Sequence, residues 1–207
     1  MKTKLILLFL GAGLILASCT KYPPSSDRLL EDLAIYTKYD TTVNFAKFKK
    51  YYMNDSIVKI SDKDSGMYYN AQVKSLTDEI AVNMKNLGYT RVTNSSDTSI
   101  DLFLAASYMV NVNVNVYYPG WYWGYYPPYY WGGSGYYPYY PAYITSYSVG
   151  TVLLDLINVN KEDMVGGKYP VCWNAYIRGL LTGSHTTAQI NQSVDQAFKQ
   201  TKGFPGH

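Results

Sequence analysis

The clearest pattern in this chain is a period of two. Every even position from 100 to 118 is apolar or aromatic (Ile100, Leu102, Leu104, Ala106, Tyr108, Val110, Val112, Val114, Val116, Tyr118). The odd positions mix Asp101, Ser107, Asn111, Asn113 and Asn115 with Phe103, Ala105 and Met109. Such alternation sets one side of a strand against a core. It outruns the usual strand of five or six residues, so the far end is expected to project beyond the core. Ile144 to Val159 reads as a second long strand. It is apolar on both sides around Val149, Val152, Leu153, Leu154 and Ile157, which suits the middle of a sheet. Tyr169 to Leu181 is a third, with Val171, Trp173, Ala175 and Ile177 alternating. Earlier in the chain Tyr39, Thr41, Val43 and Phe45 alternate as a first strand, with Phe48 and Tyr51 following a register break. Short strands are read at Ile57–Ile60 and Tyr89–Thr93.

The period then changes to that of a helix. Val73, Leu76, Ile80, Met84 and Leu87 recur every three or four residues, which predicts a helix over Ala71–Leu87 with Gly88 as its left-handed terminator. A closing helix is predicted from Thr187 to Gln200. It buries Ile190, Val194, Ala197 and Phe198, with Thr186 or Thr187 as its cap. The order is strand, helix, three-strand antiparallel meander, helix. The fold class is therefore α+β: a two-layer sandwich of a mainly antiparallel sheet with two helices on one face, plus a long aromatic loop between two long strands.

That loop is the compositional anomaly. Tyr117 to Tyr147 holds 13 tyrosines and Trp121, Trp123 and Trp131, punctuated by five prolines and five glycines. No Asp, Glu, Lys or Arg occurs from Leu102 to Leu154. Prolines at this density forbid regular ladder pairing, and a loop of this length in a compact domain is functional or disordered. Three readings stay open. The rings could stack on sugar faces of an envelope glycan such as peptidoglycan. They could rest on a membrane interface or a partner protein, where a side chain with one apolar and one wet end is favoured. Or the insertion is low-complexity sequence with no dedicated ligand. The candidate contact residues are Trp121, Tyr122, Trp123, Tyr125, Tyr129, Trp131 and Tyr136.

Other chemistry is sparse. Asp62-Lys63-Asp64-Ser65-Gly66 imitates a calcium loop, but its glycine comes one position early and Val73 stands where the bidentate glutamate belongs. Cys172 and His185 offer a thiol and a base, yet Cys172 lies in a predicted strand beside Trp173, where cysteine packs as a small hydrophobe. Asp78-Glu79 and Glu162-Asp163 read as solvated charge, and Gly166-Gly167-Lys168 lacks the rest of a phosphate loop. No catalytic residue, metal ligand or cofactor is assigned. An enzyme is the least favoured class; an envelope hydrolase would need carboxylates that only the fold could bring together.

The start of the chain carries its own signal. Met1-Lys2-Thr3-Lys4 is basic, Leu5 to Ala17 is an apolar run of 13 residues, and Leu16-Ala17-Ser18-Cys19 follows. The run is shorter than the roughly 20 residues of a membrane span, so it reads as a secretory signal. Its ending resembles a bacterial lipobox. The resemblance implies cleavage before Cys19 and lipidation of its thiol, with the membrane as a partner through that lipid. Cleavage would leave 189 residues, and the formal charge would fall from +3 to +1 as Lys2 and Lys4 leave. A near-neutral surface argues against a nucleic-acid partner. With Cys19 lipidated, Cys172 has no partner for a disulfide. The organisation is a signal peptide over 1–18, a lipidated cysteine and tether over 19–35, and one α+β domain over 36–205 with the insertion at 117–143. Thr20 after the cysteine, rather than the aspartate that holds enteric lipoproteins in the inner membrane, implies the outer membrane, facing the periplasm.

A set of short motifs in fixed order completes the reading. These are Tyr39-Asp40-Thr41-Thr42-Val43-Asn44-Phe45 with Phe48-Lys49-Lys50-Tyr51, then Leu87-Gly88-Tyr89, Ser99-Ile100-Asp101-Leu102 and Gly150-Thr151-Val152-Leu153-Leu154-Asp155-Leu156. Cys172-Trp173 and a closing helix before Phe204-Pro205 follow. Their order resembles the bacterial envelope lipoproteins grouped as domain of unknown function 4136, across most of residues 36–205. The resemblance implies a small lipid-anchored α+β domain and carries no activity to transfer; the tyrosine-rich insertion departs from it. The expected function is a non-enzymatic, lipid-anchored envelope protein that binds or scaffolds, with the aromatic loop as a protein or membrane contact. The alternative is a glycan-binding module using that loop.

Overall fold

A computed structural model describes residues 33–61, 64–110, 150–181 and 185–205. The chain divides into Met1–Asp32, which lies outside the described residues, and the domain Leu33–His207. Among the described residues the sheet has eight strands: β1 (Ile35–Tyr39), β2 (Lys50–Met53), β3 (Ile57–Ile60), β4 (Gly66–Tyr68), β5 (Thr90–Val92), β6 (Leu102–Met109), β7 (Val152–Asn158) and β8 (Val171–Ile177). The helices are α1 (Ala71–Asn86) and α2 (Thr187–Lys199).

The strand order is β1-β8-β7-β6-β2-β5, with β3 on the upper part of β6 and β4 paired to β3. The expected antiparallel meander is present as β6, β7 and β8. The sheet as a whole is mixed, however, because β2 runs parallel to both β5 and β6, and β3 runs parallel to β6. The chain returns to β6 through α1, and such a crossover delivers a parallel neighbour. The expectation of a mainly antiparallel sheet is corrected accordingly. The first strand also differs from the reading at Tyr39–Phe45. It occupies Ile35–Tyr39, and Asp40 ends it by accepting the Thr42 N–H at 2.9 Å while its carbonyl accepts from Val43. This turn carries the chain into a 3₁₀ turn at Phe45–Lys47.

Both helices are held by their ends. Asn70 Oδ1 accepts the Val73 N–H at 2.8 Å at the start of α1. At its end Gly88 has φ 88°, and the Tyr89 N–H reaches back to the Met84 carbonyl while Gly88 N–H meets Lys85. That is a Schellman closure, which favours glycine because other residues resist a positive φ. Thr186 caps α2 in a reciprocal capping box with Gln189.

Strand pairing sorts the sheet into two faces. One carries Leu102, Leu104, Leu154, Leu156, Trp173 and Ala175, and α2 covers it: Phe198 packs on Trp173 with ring centroids 5.1 Å apart. Phe204 joins both rings and reaches Phe45, so the first 3₁₀ turn, β8 and the chain end meet in one aromatic cluster. The helices lie side by side, linked by Ser75 to Asn191 and Asn83 to Asp195. The far face carries Val58, Phe103, Ala105, Ser107, Met109, Leu153, Asp155, Ile157 and Tyr176. These too are buried.

Candidate functional site

Every site residue expected from sequence lies outside the described residues: Cys19, Trp121, Tyr122, Trp123, Tyr125, Tyr129, Trp131 and Tyr136. What the described residues define is the place from which the aromatic segment departs. The Gly150 N–H donates to the Met109 carbonyl at 2.8 Å, and the Met109 N–H donates to the Thr151 carbonyl at 2.9 Å. Residues 111–149 are thus the connection of a closed hairpin, β6–β7, whose two strands are the centre of the sheet. Gly150 has φ 77°, a conformation costly for any side chain, at the point where the chain re-enters β7.

Register ties this mouth to the entry of the chain. Tyr108 pairs with Val152, Val152 with Ile177, and Ile177 with Ile35. The first residue of β1 therefore stands on the same row as the last pair of the hairpin, three strand spacings or about 14 Å away. At the other end of β1, Tyr39 pairs with Trp173, beside the Phe204 cluster that fixes the chain end.

The far face holds a polar row that sequence reading passed over. Ala105, Asp155, Asn174 and Lys38 are aligned in direct register across four strands, with Ser107 and Leu153 on the next row. Asp155 and Ser107 are each 0% exposed. Ser107 Oγ and Asn174 Oδ1 are buried without a hydrogen-bond partner among the described residues, a costly condition for polar atoms. The signal in the sequence was an acid inside an otherwise apolar run, Val152-Leu153-Leu154-Asp155-Leu156-Ile157.

Cys172 is the extra residue of a bulge between β7 and β8; its Sγ–H donates to the Leu156 carbonyl at 3.1 Å. Burial pushes this thiol far above its ordinary value, the opposite of an activated nucleophile. His185 Nε2 lies 3.1 Å from the Gly179 carbonyl. A shallow depression of about 270 Å³ lies along β1 and β8, lined by Lys38, Asp40, Thr41 and Trp173 among others. Among the described residues no cluster of three His, Cys, Asp or Glu could hold a metal ion, and no helix is long and apolar enough to cross a membrane.

One carboxylate pair does face across elements. Asp78 is a surface partner of Lys74. Its neighbour Glu79 instead meets Asp195 of α2, and Asn83 Nδ2 bridges them, 2.7 Å from Asp195 and 3.5 Å from Glu79. Burial first, then the Asp195 carboxylate, raises the Glu79 pKa above its ordinary value. The pair sits in the seam between the two helices, joined through Asn83.

These features define a mixed-sheet α+β domain with a helix pair and a long uncharged insertion in its central hairpin. The chain belongs to the DUF4136 family: the model described as "Domain of unknown function (DUF4136)" matches residues 35–205. A DUF4136 family protein from Bacteroides thetaiotaomicron, known from a crystal structure, is 31% identical with a TM-score of 0.65. The match covers 85% of this chain and 99% of that one. A PelC dodecamer from Paraburkholderia phytofirmans is 12% identical with a TM-score of 0.38, over 82% of this chain and 99% of that one. A PDZ domain protein from Parabacteroides distasonis is 14% identical with a TM-score of 0.36, over 82% of this chain and 36% of that one. The last two are too distant in structure to bear on this chain. No curated protein matches it.

The family motifs now have physical meaning. Asp101 Oδ2 accepts the backbone N–H groups of Lys49 and Lys50 at 2.8 and 2.9 Å, joining Ile100-Asp101-Leu102 to Phe48-Lys49-Lys50-Tyr51. Tyr89 donates its hydroxyl to the Phe45 carbonyl at 3.0 Å. These contacts tie separate motifs to one another within the fold.

Proposed function

We propose that this protein is a lipid-anchored component of the bacterial cell envelope that acts by contact and not by catalysis, with residues Trp121 to Tyr136 as its contact surface. The anchor is the lipid on Cys19, and the location is the outer membrane, on its periplasmic side. One observation carries the contact reading. The row Ile35–Ile177–Val152–Tyr108 puts the chain's entry into the domain and the departure of the aromatic segment at one end of the sheet. A domain tethered by its entry presents that end toward the anchoring surface, and tyrosine and tryptophan are the side chains favoured at such wet–apolar boundaries. The absence of charge from Leu102 to Leu154 fits a surface that meets lipid or protein rather than phosphate.

The test is cosedimentation of the mature domain with envelope vesicles and, separately, with insoluble peptidoglycan. It is run beside a variant whose residues 119–141 are replaced by a short Gly-Ser loop. The expected result is pelleting with vesicles that the variant loses. Segment-dependent pelleting with peptidoglycan would instead make this a glycan-binding lipoprotein. Identical behaviour of both chains on both surfaces would overturn the contact reading.

A further inference from the structure

Among the described residues the β1 margin of the sheet is open: β1 pairs with β8, and no strand lies on its other side. The Ala34 carbonyl accepts from the Arg178 N–H at 3.0 Å, and the Asp40 N–H donates to the Cys172 carbonyl at 2.9 Å. Even-numbered residues of β1 therefore turn their backbone groups toward β8, and the odd ones turn theirs outward. On that outer side the Ile35 carbonyl takes the Gln200 side-chain amide at 3.3 Å. The backbone N–H and C=O groups of Thr37 and Tyr39 have no partner there among the described residues. Folded proteins blunt such margins by shortening the strand, bulging it or placing proline on it. The margin strands β4 and β5 are three residues long. β1 has five residues, no proline and an unbroken register with β8.

We propose that the β1 edge is the docking site for an extended, acidic segment of a partner protein, which adds to the sheet as a further strand. Side chains along β1 define the chemistry of that segment. Tyr36, 57% exposed, and Lys38, also exposed, stand on one side of the strand. Thr37, whose hydroxyl accepts from Gln200 at 3.1 Å, stands on the other. Residues opposite one another on paired strands interact, so the fitting segment alternates. It brings an apolar residue beside Tyr36, an acid beside Lys38 and hydroxyls beside Thr37. A lysine on an edge deters neutral and basic strands, and so selects an acidic one. The depression of about 270 Å³ lined by Lys38, Asp40 and Thr41 lies along the same stretch and has room for a side chain of the incoming strand. A second copy of this chain fits less well. A two-fold axis normal to the sheet pairs β1 with β1 antiparallel and turns the two hairpin mouths to opposite ends, so one of them faces away from the anchoring surface. That exclusion rests on the orientation proposed above, whereas docking is measured in solution without a membrane, so the two fail separately.

The experiment titrates the mature chain, without its lipid, with the blocked peptide Thr-Val-Thr-Glu-Thr-Val and follows backbone amide exchange by NMR. The amides of Thr37 and Tyr39 are expected to exchange freely without peptide and to slow about tenfold or more when it binds. Thr37→Pro removes an outward N–H, so it should keep the parent's melting temperature and lose the peptide. Replacing the peptide's Glu with Lys should weaken binding severalfold, and equal binding would contradict the acidic preference. Protection of both amides before peptide is added, by the chain itself or by a second copy, would overturn the proposal. So would a peptide that leaves them unprotected, or one that binds Thr37→Pro as tightly as the parent.

Discussion

The indole N–H of Trp173 donates to the Thr201 hydroxyl at 2.8 Å, and Thr201 passes the bond on to the Ala197 carbonyl at 3.0 Å. Both residues are essentially solvent-free. This pair locks the end of α2 to the centre of β8, and the Phe198 and Phe204 rings close around it. Replacing Thr201 with Val keeps the shape but leaves a buried indole N–H without an acceptor. The expected cost is about 1–3 kcal/mol in urea unfolding, with an unchanged slope. Trp173→Phe removes donor and ring together, so Thr201→Val should cost almost nothing further in that background.

Asp101 organises the join between β2 and β6. One of its carboxylate oxygens, Oδ2, accepts from two backbone donors, Lys49 and Lys50. Asp101→Ala is expected to lower stability by about 1–3 kcal/mol, and Asp101→Asn by less, because the amide oxygen still accepts. Hydrogen exchange should show the loss at the amides of Lys49 and Lys50 first.

The Glu79–Asp195 seam makes stability depend on pH in a fixed direction. The folded state raises the Glu79 pKa above its ordinary value, mainly by burial and then by the Asp195 carboxylate, so the native protein holds that proton more tightly than the unfolded chain. The resulting stabilisation is complete below the ordinary carboxyl range and is lost as pH rises through the raised value. Glu79→Gln should therefore be more stable than the parent at neutral pH and lose that advantage on acidification. Thermal melts across this range check it; an advantage that grows toward low pH would contradict the assignment.

Much of this fold is visible in the chain because its signals are local. Asn70, Gly88 and Thr186 announce helix ends through their own hydrogen bonds, and Leu102–Met109 announces a strand through its alternation. The parallel pairing of β2 and β3 with β6 was not visible, since periodicity fixes the side a residue faces but not its neighbour. Tyr39–Phe45 misled for a related reason: its alternation is real, but the Asp40 side chain captures the Thr42 N–H and bends the chain. The polar row was hidden because Asp155, Asn174 and Lys38 become neighbours only through the register of three strands. The aromatic residues stood out by composition, which names the chemistry of a surface without naming its partner.

The most direct test of the contact reading is site-specific photocrosslinking of the lipidated protein in its own envelope. The photoreactive phenylalanine would replace Trp123 in one strain and Val82, an exposed position on α1, in another. The account predicts adducts with a second protein or with lipid at Trp123 and none at Val82. Only intramolecular products at Trp123, or equal adducts at both positions, would contradict it.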